Sequence, residues 1–477
     1  MTTTTSPIVS FRDPGGRLLE RHGRVLRSVT EAGLDNAQLF LRSPAVDACR
    51  QAGRVVGARV VPAREAAELG LNAAALVLEH PRIEFPSYPY EWAPEMLAEA
   101  GRLTLDLAEA LLPEGLGLKD ATPYNVLFDG PRAVFVDALS IERRDPRDPL
   151  WLPMAQFERT YILPLLALGR GVSLARSLGS RREGITPQEM IRLAGPVCRW
   201  APPYLTLATL PAMLALSGRA ESTNLYRARR SSSKEQAEYI LRRRFRQLRR
   251  QLERVAPRSG QVSAWSSYQA DGCHYSAEDR EMKDAFVERA LGSLATGARV
   301  LDVGANLGRY SRMAAQRGLR LTALDSDPVV MGRLWRDVSE AGESVLPLVV
   351  DVAEPSPGLG WRNSECRPFL ERAKGWSDMV LMLAVAHHLV VTARVPLPEV
   401  VSLAAGLTRG YAVVEYVGPE DSQFRRLCRG REQLYTGYRR EAWEQAWGRE
   451  FSVEQRVSLA GAGRVLYGLR RLGRATG

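Results

Sequence analysis

The sequence predicts an α/β protein in two parts: a front region of mixed strands and helices, and a back half built on a sheet with helices between its strands. Three observations predict it. The run Val300-Leu301-Asp302-Val303-Gly304-Ala305-Asn306-Leu307-Gly308 is an apolar strand that breaks at glycine and passes into a helical pattern over Leu307–Arg317. Further strand-like runs follow at Leu319–Leu324, Val345–Val350, Ser377–Leu383 and Tyr411–Tyr416, with helical stretches between them. Finally, 477 residues exceed what a single core holds, so two or three domains are expected.

The glycine loop comes first because the rest is arranged around it. A strand turning into a helix brings backbone N–H groups and the positive helix end to one spot. Gly304 and Gly308 let a ligand approach the backbone, and Asn306 is the residue type that best tolerates the left-handed conformation where a third glycine is common. Asp325, in Asp325-Ser326-Asp327-Pro328, lies about 20 residues on, the spacing at which an acid meets a ribose in nucleotide folds.

Strand, D-x-G-x-x-x-G, helix, strand and acid in this order resemble the class I S-adenosylmethionine-dependent methyltransferases. Their first motif has an acid at the place of Asp302, and their second ends in an acid like Asp325. The resemblance implies a Rossmann-like seven-stranded sheet over residues 261–477 and S-adenosyl-L-methionine as cofactor. It implies cofactor contacts from Asp302, Gly304, Ala305, Asn306, Gly308, Asp325, Ser326, Asp351, Val352 and Leu383, with Asp325 on the ribose and Asp351 near the adenine. A nicotinamide-binding domain is the rival, but it expects G-x-G-x-x-G, which Gly304-Ala305-Asn306 breaks. No metal is expected.

The fourth strand runs into Ala384-Val385-Ala386-His387-His388-Leu389, at the end that faces the methyl group in such folds. The Asp/Asn-Pro-Pro-aromatic motif that goes with methylation of a planar base or amide nitrogen is absent. The histidine pair is similar to that of small-molecule O-, N- or C-methyltransferases. Imidazole takes up a proton near neutral pH, so His387 and His388 are candidate general bases, although a histidine that only ties down a loop would look the same. The segment before the first strand often lids the cofactor in this class, which makes Tyr268, His274, Tyr275 and Lys283 pocket candidates beside a plain packing role. Glu415, on the fifth strand, leads into the loop Val417–Asp421 that reaches toward an acceptor. Strands Phe451–Leu459 and Gly463–Leu469 around Gly461-Ala462-Gly463 read as the closing antiparallel hairpin of the sheet.

In the front region, Asp13-Pro14-Gly15-Gly16 and His22-Gly23 mark turns of a hairpin; Arg54–Val61 and Ala75–Glu79 read as strands and Pro94–Leu112 as a helix. Next comes Leu118-Lys119-Asp120-Ala121-Thr122-Pro123-Tyr124-Asn125, then a short hairpin whose second strand ends at Asp137. This pattern is similar to the core of protein-kinase-like phosphotransferases. It implies that Asp120 orients an acceptor hydroxyl while Asn125 and Asp137 hold magnesium. However, no lysine precedes Lys119, no glycine-rich loop occurs in the first 80 residues, and Leu118 stands where a histidine is usual. Residues 1–215 therefore read as a kinase-like α+β domain that binds a substrate or ligand without phosphoryl transfer; turn capping explains the same acids.

Residues 216–260 read as a linker. Its helix Lys234–Val255 has Tyr239, Ile240, Phe245, Leu248 and Leu252 on one side and Arg242, Arg243, Arg244, Arg246, Arg249 and Arg250 around the rest. It either contacts RNA phosphates or bridges two domains as a solvated helix. The second reading is preferred, and a nucleic-acid partner is not expected.

The formal charge of +11 is almost all arginine, the lysines being Lys119, Lys234, Lys283 and Lys374, so it carries little nucleic-acid signal. No apolar run is long enough to span a membrane, and Met1–Ser6 lacks a signal-peptide pattern. The five cysteines are scattered without zinc or disulfide spacing, which fits a reducing cytoplasm. The LKDATPYN-type front joined to this back half is similar to a family of two-part bacterial proteins with a nodulation-linked branch in rhizobia. The expectation is a cytoplasmic bacterial methyltransferase acting on a small-molecule acceptor of specialised metabolism. An RNA methyltransferase and a bifunctional kinase and methyltransferase are the alternatives; oligomeric state is not legible.

Overall fold

Residues 12–216, 230–258, 260–263, 275–459 and 463–473 are described in the computed structural model. They fall into two units, Met1–Arg258 with Gly358–Cys366, and Ser259–Pro357 with Arg367–Gly477.

The first unit opens with β1 (Gly16–Arg21) and β2 (Arg24–Val29), closed by His22 and Gly23, both at positive φ as a two-residue hairpin turn requires. β3 (Arg59–Val60) and β4 (Leu76–His80) complete an antiparallel sheet in the order β1-β2-β4-β3. The long strand expected over Arg54–Val61 shrinks to these two residues; Val55 instead makes an isolated bridge to Phe135. The helix Pro94–Ala110 is buried on most of its faces, and Thr104 meets Tyr161 Oη at 3.0 Å inside it. Two small hairpin-like pairs follow: β5 (Leu116–Leu118) with β8 (Ile141–Arg143), and β6 (Val126–Asp129) with β7 (Arg132–Phe135).

The helix Lys234–Val255 belongs to this unit and packs on the helix Pro94–Ala110. Its buried stripe is Ala237, Leu241, Phe245, Leu248 and Leu252, at helical spacing. Tyr239 and Ile240, expected on that stripe, face outward. Arg242 and Arg249 pair with Glu109 at 3.3 and 3.0 Å, and Arg102 pairs with Glu253 at 2.7 Å. The helix is thus a packed part of the first unit rather than a free linker.

The second unit holds a sheet of seven strands: β9 (Arg299–Val303), β10 (Arg320–Asp325), β11 (Val345–Val349), β12 (Ser377–Met382), β13 (Thr408–Val417), β14 (Phe451–Leu459) and β15 (Arg464–Arg471). The order is β11-β10-β9-β12-β13-β15-β14, parallel through β13, with β15 antiparallel to both its neighbours. β9 lies mid-sheet and is buried from Val300 to Val303, which takes Asp302 into the interior. Register sets Val303 beside Leu324 and Asp302 beside Leu381. Parallel strands end on one edge, so the loops after β9, β10 and β12 gather at a single place.

Candidate functional site

These loops surround a cavity of about 800 Å³ in the second unit, within the usual range for small-molecule sites. The loop after β9 makes its floor. Gly304 has φ 72° and its added Cβ would lie 2.3 Å from Val385, so the loop fits only with glycine there. Asn306 takes φ 50°, the left-handed conformation expected of it.

The loop spends its donors on the neighbouring strand β10 and on itself. Gly304 N and Ala305 N both donate to Leu324 O at 2.8 and 2.9 Å, and Gly308 N donates to Ala305 O at 2.9 Å. Asn306 N donates to Asp325 Oδ2 at 3.0 Å, and Leu307 N to Asn306 Oδ1 at 2.7 Å. The following helix, Arg309–Ala315, is much shorter than the sequence pattern suggested. The expected cradle of backbone N–H groups and helix field is therefore not what the site presents.

What it does present is carboxylate. Asp302, Asp325, Asp351 and Glu354 all line the cavity. Asp302 is nearly fully buried and accepts from Ser311 Oγ at 2.7 Å; burial pushes its pKa up to about 6. Burial likewise raises Asp325, whose Oδ1 accepts from Asp327 N at 3.0 Å. Asp351 is exposed and caps its own turn through Ala353 N at 2.9 Å. Ser326, Val352 and Leu383 line the same cavity together with Gly304, Ala305 and Asn306. Gly308 does not line it. Its φ of 73° starts the next helix, and an added Cβ would strike Leu334, so it is a turn and packing residue.

The two histidines separate. His388 lines the cavity, whereas His387 is buried behind it with Nδ1 unpartnered. Their rings lie 4.3 Å apart. Burial lowers the pKa of both, and Arg464 lowers His388 further, so His388 is neutral at pH 7.

Beside them lies a buried ionic network. Lys283 Nζ donates to Glu415 Oε2 at 2.7 Å and to Tyr275 Oη at 2.9 Å. Tyr275 Oη donates to Glu415 Oε1 at 2.7 Å and accepts a second bond from Arg464, which also holds Asp421 at 2.8 Å. Burial alone would raise the Glu415 pKa, but Lys283 and Arg464 outweigh it and hold the carboxyl below its usual range. Tyr275 and Lys283 line the cavity. The Tyr275 oxygen has both lone pairs and its proton engaged, so it is no base. Glu415 does not line the cavity; it is fully enclosed and serves the network, not a substrate. Arg464 escaped the sequence reading, and Asp421 entered it only as the end of the loop Val417–Asp421; the available signal was an arginine opening the apolar run Val465-Leu466-Tyr467. Tyr268 and His274 lie outside the described residues.

In the first unit, Asp137 has a cation partner and Asp120 has none among the described residues. Lys119 pairs with Asp13 at 2.8 Å and Asp137 with Arg27 at 3.1 Å. Asp120 is raised by burial and reaches Gln156 Nε2 at 3.5 Å; Asn125 Nδ2 has no hydrogen-bond partner. Among the described residues, no group of His, Cys, Asp or Glu is arranged to hold a metal ion, and no helix is long and apolar enough to cross a membrane.

No family model matches the chain. Among solved structures, the N-methyltransferase NodS from Bradyrhizobium japonicum WM9 is similar at 14% identity and a TM-score of 0.31, over 41% of this chain and 98% of that one. Magnesium protoporphyrin IX methyltransferase (ChlM) from Synechocystis PCC 6803, with bound SAH, is similar at 17% identity and a TM-score of 0.30, over 45% of this chain and 90% of that one. Likenesses of this size carry no functional weight. Sequence similarity reaches much further: nodulation protein NoeA of Rhizobium meliloti (strain 1021) is 30% identical over 473 residues, 97% of this chain and 95% of that protein, and the chain belongs to the NoeA family.

Proposed function

We propose that the second unit binds S-adenosylmethionine and methylates an O, N or C atom of a small-molecule acceptor. One observation carries this reading. The loop after β9 has used its N–H groups on Leu324 and Asp325 of the neighbouring strand and on its own Ala305 and Asn306, while the cavity keeps a row of carboxylates. A phosphate ligand needs the opposite arrangement. A ligand bearing a sulfonium and an ammonium suits it.

When bound, the cofactor supplies an electrophilic methyl group. The chain's part is to position an acceptor and manage its proton. Asp325 would hold ribose hydroxyls with the lone pairs left on its two oxygens; Asp351 would serve the adenine, and Leu383 would supply apolar contact. The neutral His388 imidazole takes the acceptor's proton. His387 supports His388 from behind. The first unit binds or selects the acceptor without phosphoryl transfer, since Arg27 already occupies Asp137. The pairing of Arg242 and Arg249 inside that unit weighs against an RNA substrate. The name of the relative, a nodulation protein, is in keeping with a specialised acceptor.

Calorimetry with S-adenosylhomocysteine tests the reading. Wild type is expected to bind it, and Asp325→Ala about 30-fold more weakly, the worth of one or two charge-assisted hydrogen bonds. Folded wild-type protein that takes up neither the cofactor nor its demethylated product refutes it.

A further inference from the structure

From Met190 to Leu216 the first unit contains no Asp or Glu, and its charges are Arg192 and Arg199. The helix Pro187–Cys198, broken at Gly195, and the helix Leu210–Leu216, preceded by a helical turn at Leu205–Thr209, pack together in this stretch. They already have an interior: Met190, Ala194, Leu207, Ala208 and Ala212 are buried. Beyond it, large apolar side chains face outward. Val197 is 80% exposed, Trp200 52%, Met213 52%, Leu210 47% and Leu193 38%. Isolated exposed apolar residues are ordinary, but a cluster on one helical hairpin marks an interaction surface.

We infer that this face docks on an anionic lipid surface. Three features select that occupant. Trp200 is of the type that settles at a membrane interface, its ring apolar and its N–H wet. The Arg199 guanidinium lies 5.3 Å over that ring, so charge and apolar surface occupy one spot. And Arg192 and Arg199 make no ion pair among the described residues, the one acid on their helix, Glu189, being held by Arg181; acidic headgroups fill that lack. A second copy of the chain fits worse. A two-fold contact would set Arg192 and Arg199 against a patch equally devoid of acids. The helices are too short to span a bilayer, so the contact is peripheral.

Co-sedimentation of the full-length protein with phosphatidylcholine vesicles, with and without about one third phosphatidylglycerol, tests this. The protein should pellet with the anionic vesicles alone and be released by salt. Val197→Asp should lower the bound fraction about fivefold. Because Val197 is exposed, the variant should keep the wild-type denaturation curve. Trp200→Phe provides a second arm: the emission lost in that variant should shift to the blue on adding anionic vesicles. Absence of pelleting, equal pelleting of wild type and Val197→Asp, or a wild-type dimer in light scattering that Val197→Asp splits would each overturn the proposal, the last assigning the face to a second copy.

Discussion

In the first unit, Lys119 is paired to Asp13, and Asp137 to Arg27. In the second, Asp302, Asp325 and Asp351 line a cavity whose wall also carries Arg280, Lys283 and Arg309; Lys283 is engaged by Glu415 and Arg309 by Asp284. Both units carry acids at motif spacing; in the first, Asp137 is cancelled by a guanidinium remote in sequence, whereas Asp302, Asp325 and Asp351 have no such ion pair among the described residues. Residue identity within a motif does not decide this. Asp13 lies 106 residues before Lys119, and Arg27 sits on a strand well upstream of Asp137. An acid that already has a buried guanidinium is a structural tie; one left facing a cavity is free for a ligand.

The largest expected effect comes from breaking the network that keeps the cations of the second unit occupied. Lys283→Met leaves Glu415, which has no exposed surface, with the Tyr275 hydroxyl and with Arg464 as its one cation, and that arginine is shared with Asp421. Removing one partner of a buried ion pair costs about 3–5 kcal/mol. Urea denaturation should show the loss in one unit's transition, and Lys283→Met with Glu415→Gln should recover part of it. A loss under about 1 kcal/mol would mean that the network is not what secures the cavity wall.

Much of the second unit was legible in the sequence because its signals are local. Strand, glycine turn and acid follow one another within the run from Arg299 to Asp325, and the left-handed place of Asn306 follows from side-chain type alone. Whether the loop's N–H groups face a ligand was not legible. That depends on Leu324 and Asp325 arriving from the neighbouring strand to take them up. Arg464 was hidden for the same reason, since it meets Glu415 only through the pairing of β13 with β15. Tyr239 and Ile240 were misplaced because the helix Lys234–Val255 has apolar residues on two faces, and only packing against Pro94–Ala110 decides which is buried.

The next effect sharpens the contrast inside the second unit. His388→Gln is expected to slow methyl transfer from labelled cofactor into a cell extract about 100-fold while leaving S-adenosylhomocysteine binding unchanged. His387→Gln should cost less than about tenfold, since that ring is enclosed and does not face the cavity. The pH dependence has a definite sign. Burial first, and Arg464 second, lower the His388 pKa from 6.5, so the imidazole stays neutral through the neutral range and its acid limb lies below pH 6.5. Product formation undiminished in His388→Gln would remove the histidine from the chemistry and leave positioning alone.

The smallest effect tests the first unit. Asp137→Ala leaves Arg27, which is 5% exposed and already has an unpartnered Nε, without its carboxylate. Because Asp137 itself is partly exposed, with 21% of its side chain accessible, the cost should be about 2 kcal/mol rather than that of a fully enclosed pair. Asp137→Leu with Arg27→Leu should be milder than Asp137→Ala, since an apolar pair leaves no buried charge behind. Neither change should alter the affinity for S-adenosylhomocysteine. Titration with magnesium and ATP decides whether the ion pair closes this constellation. Wild type should show no heat of binding, because a ligand at Asp137 would have to displace a guanidinium held at 3.1 Å. Binding in wild type that vanishes in Asp137→Ala would mean that Arg27 swings aside, and the two units would then differ in which ligand they hold rather than in whether they hold one.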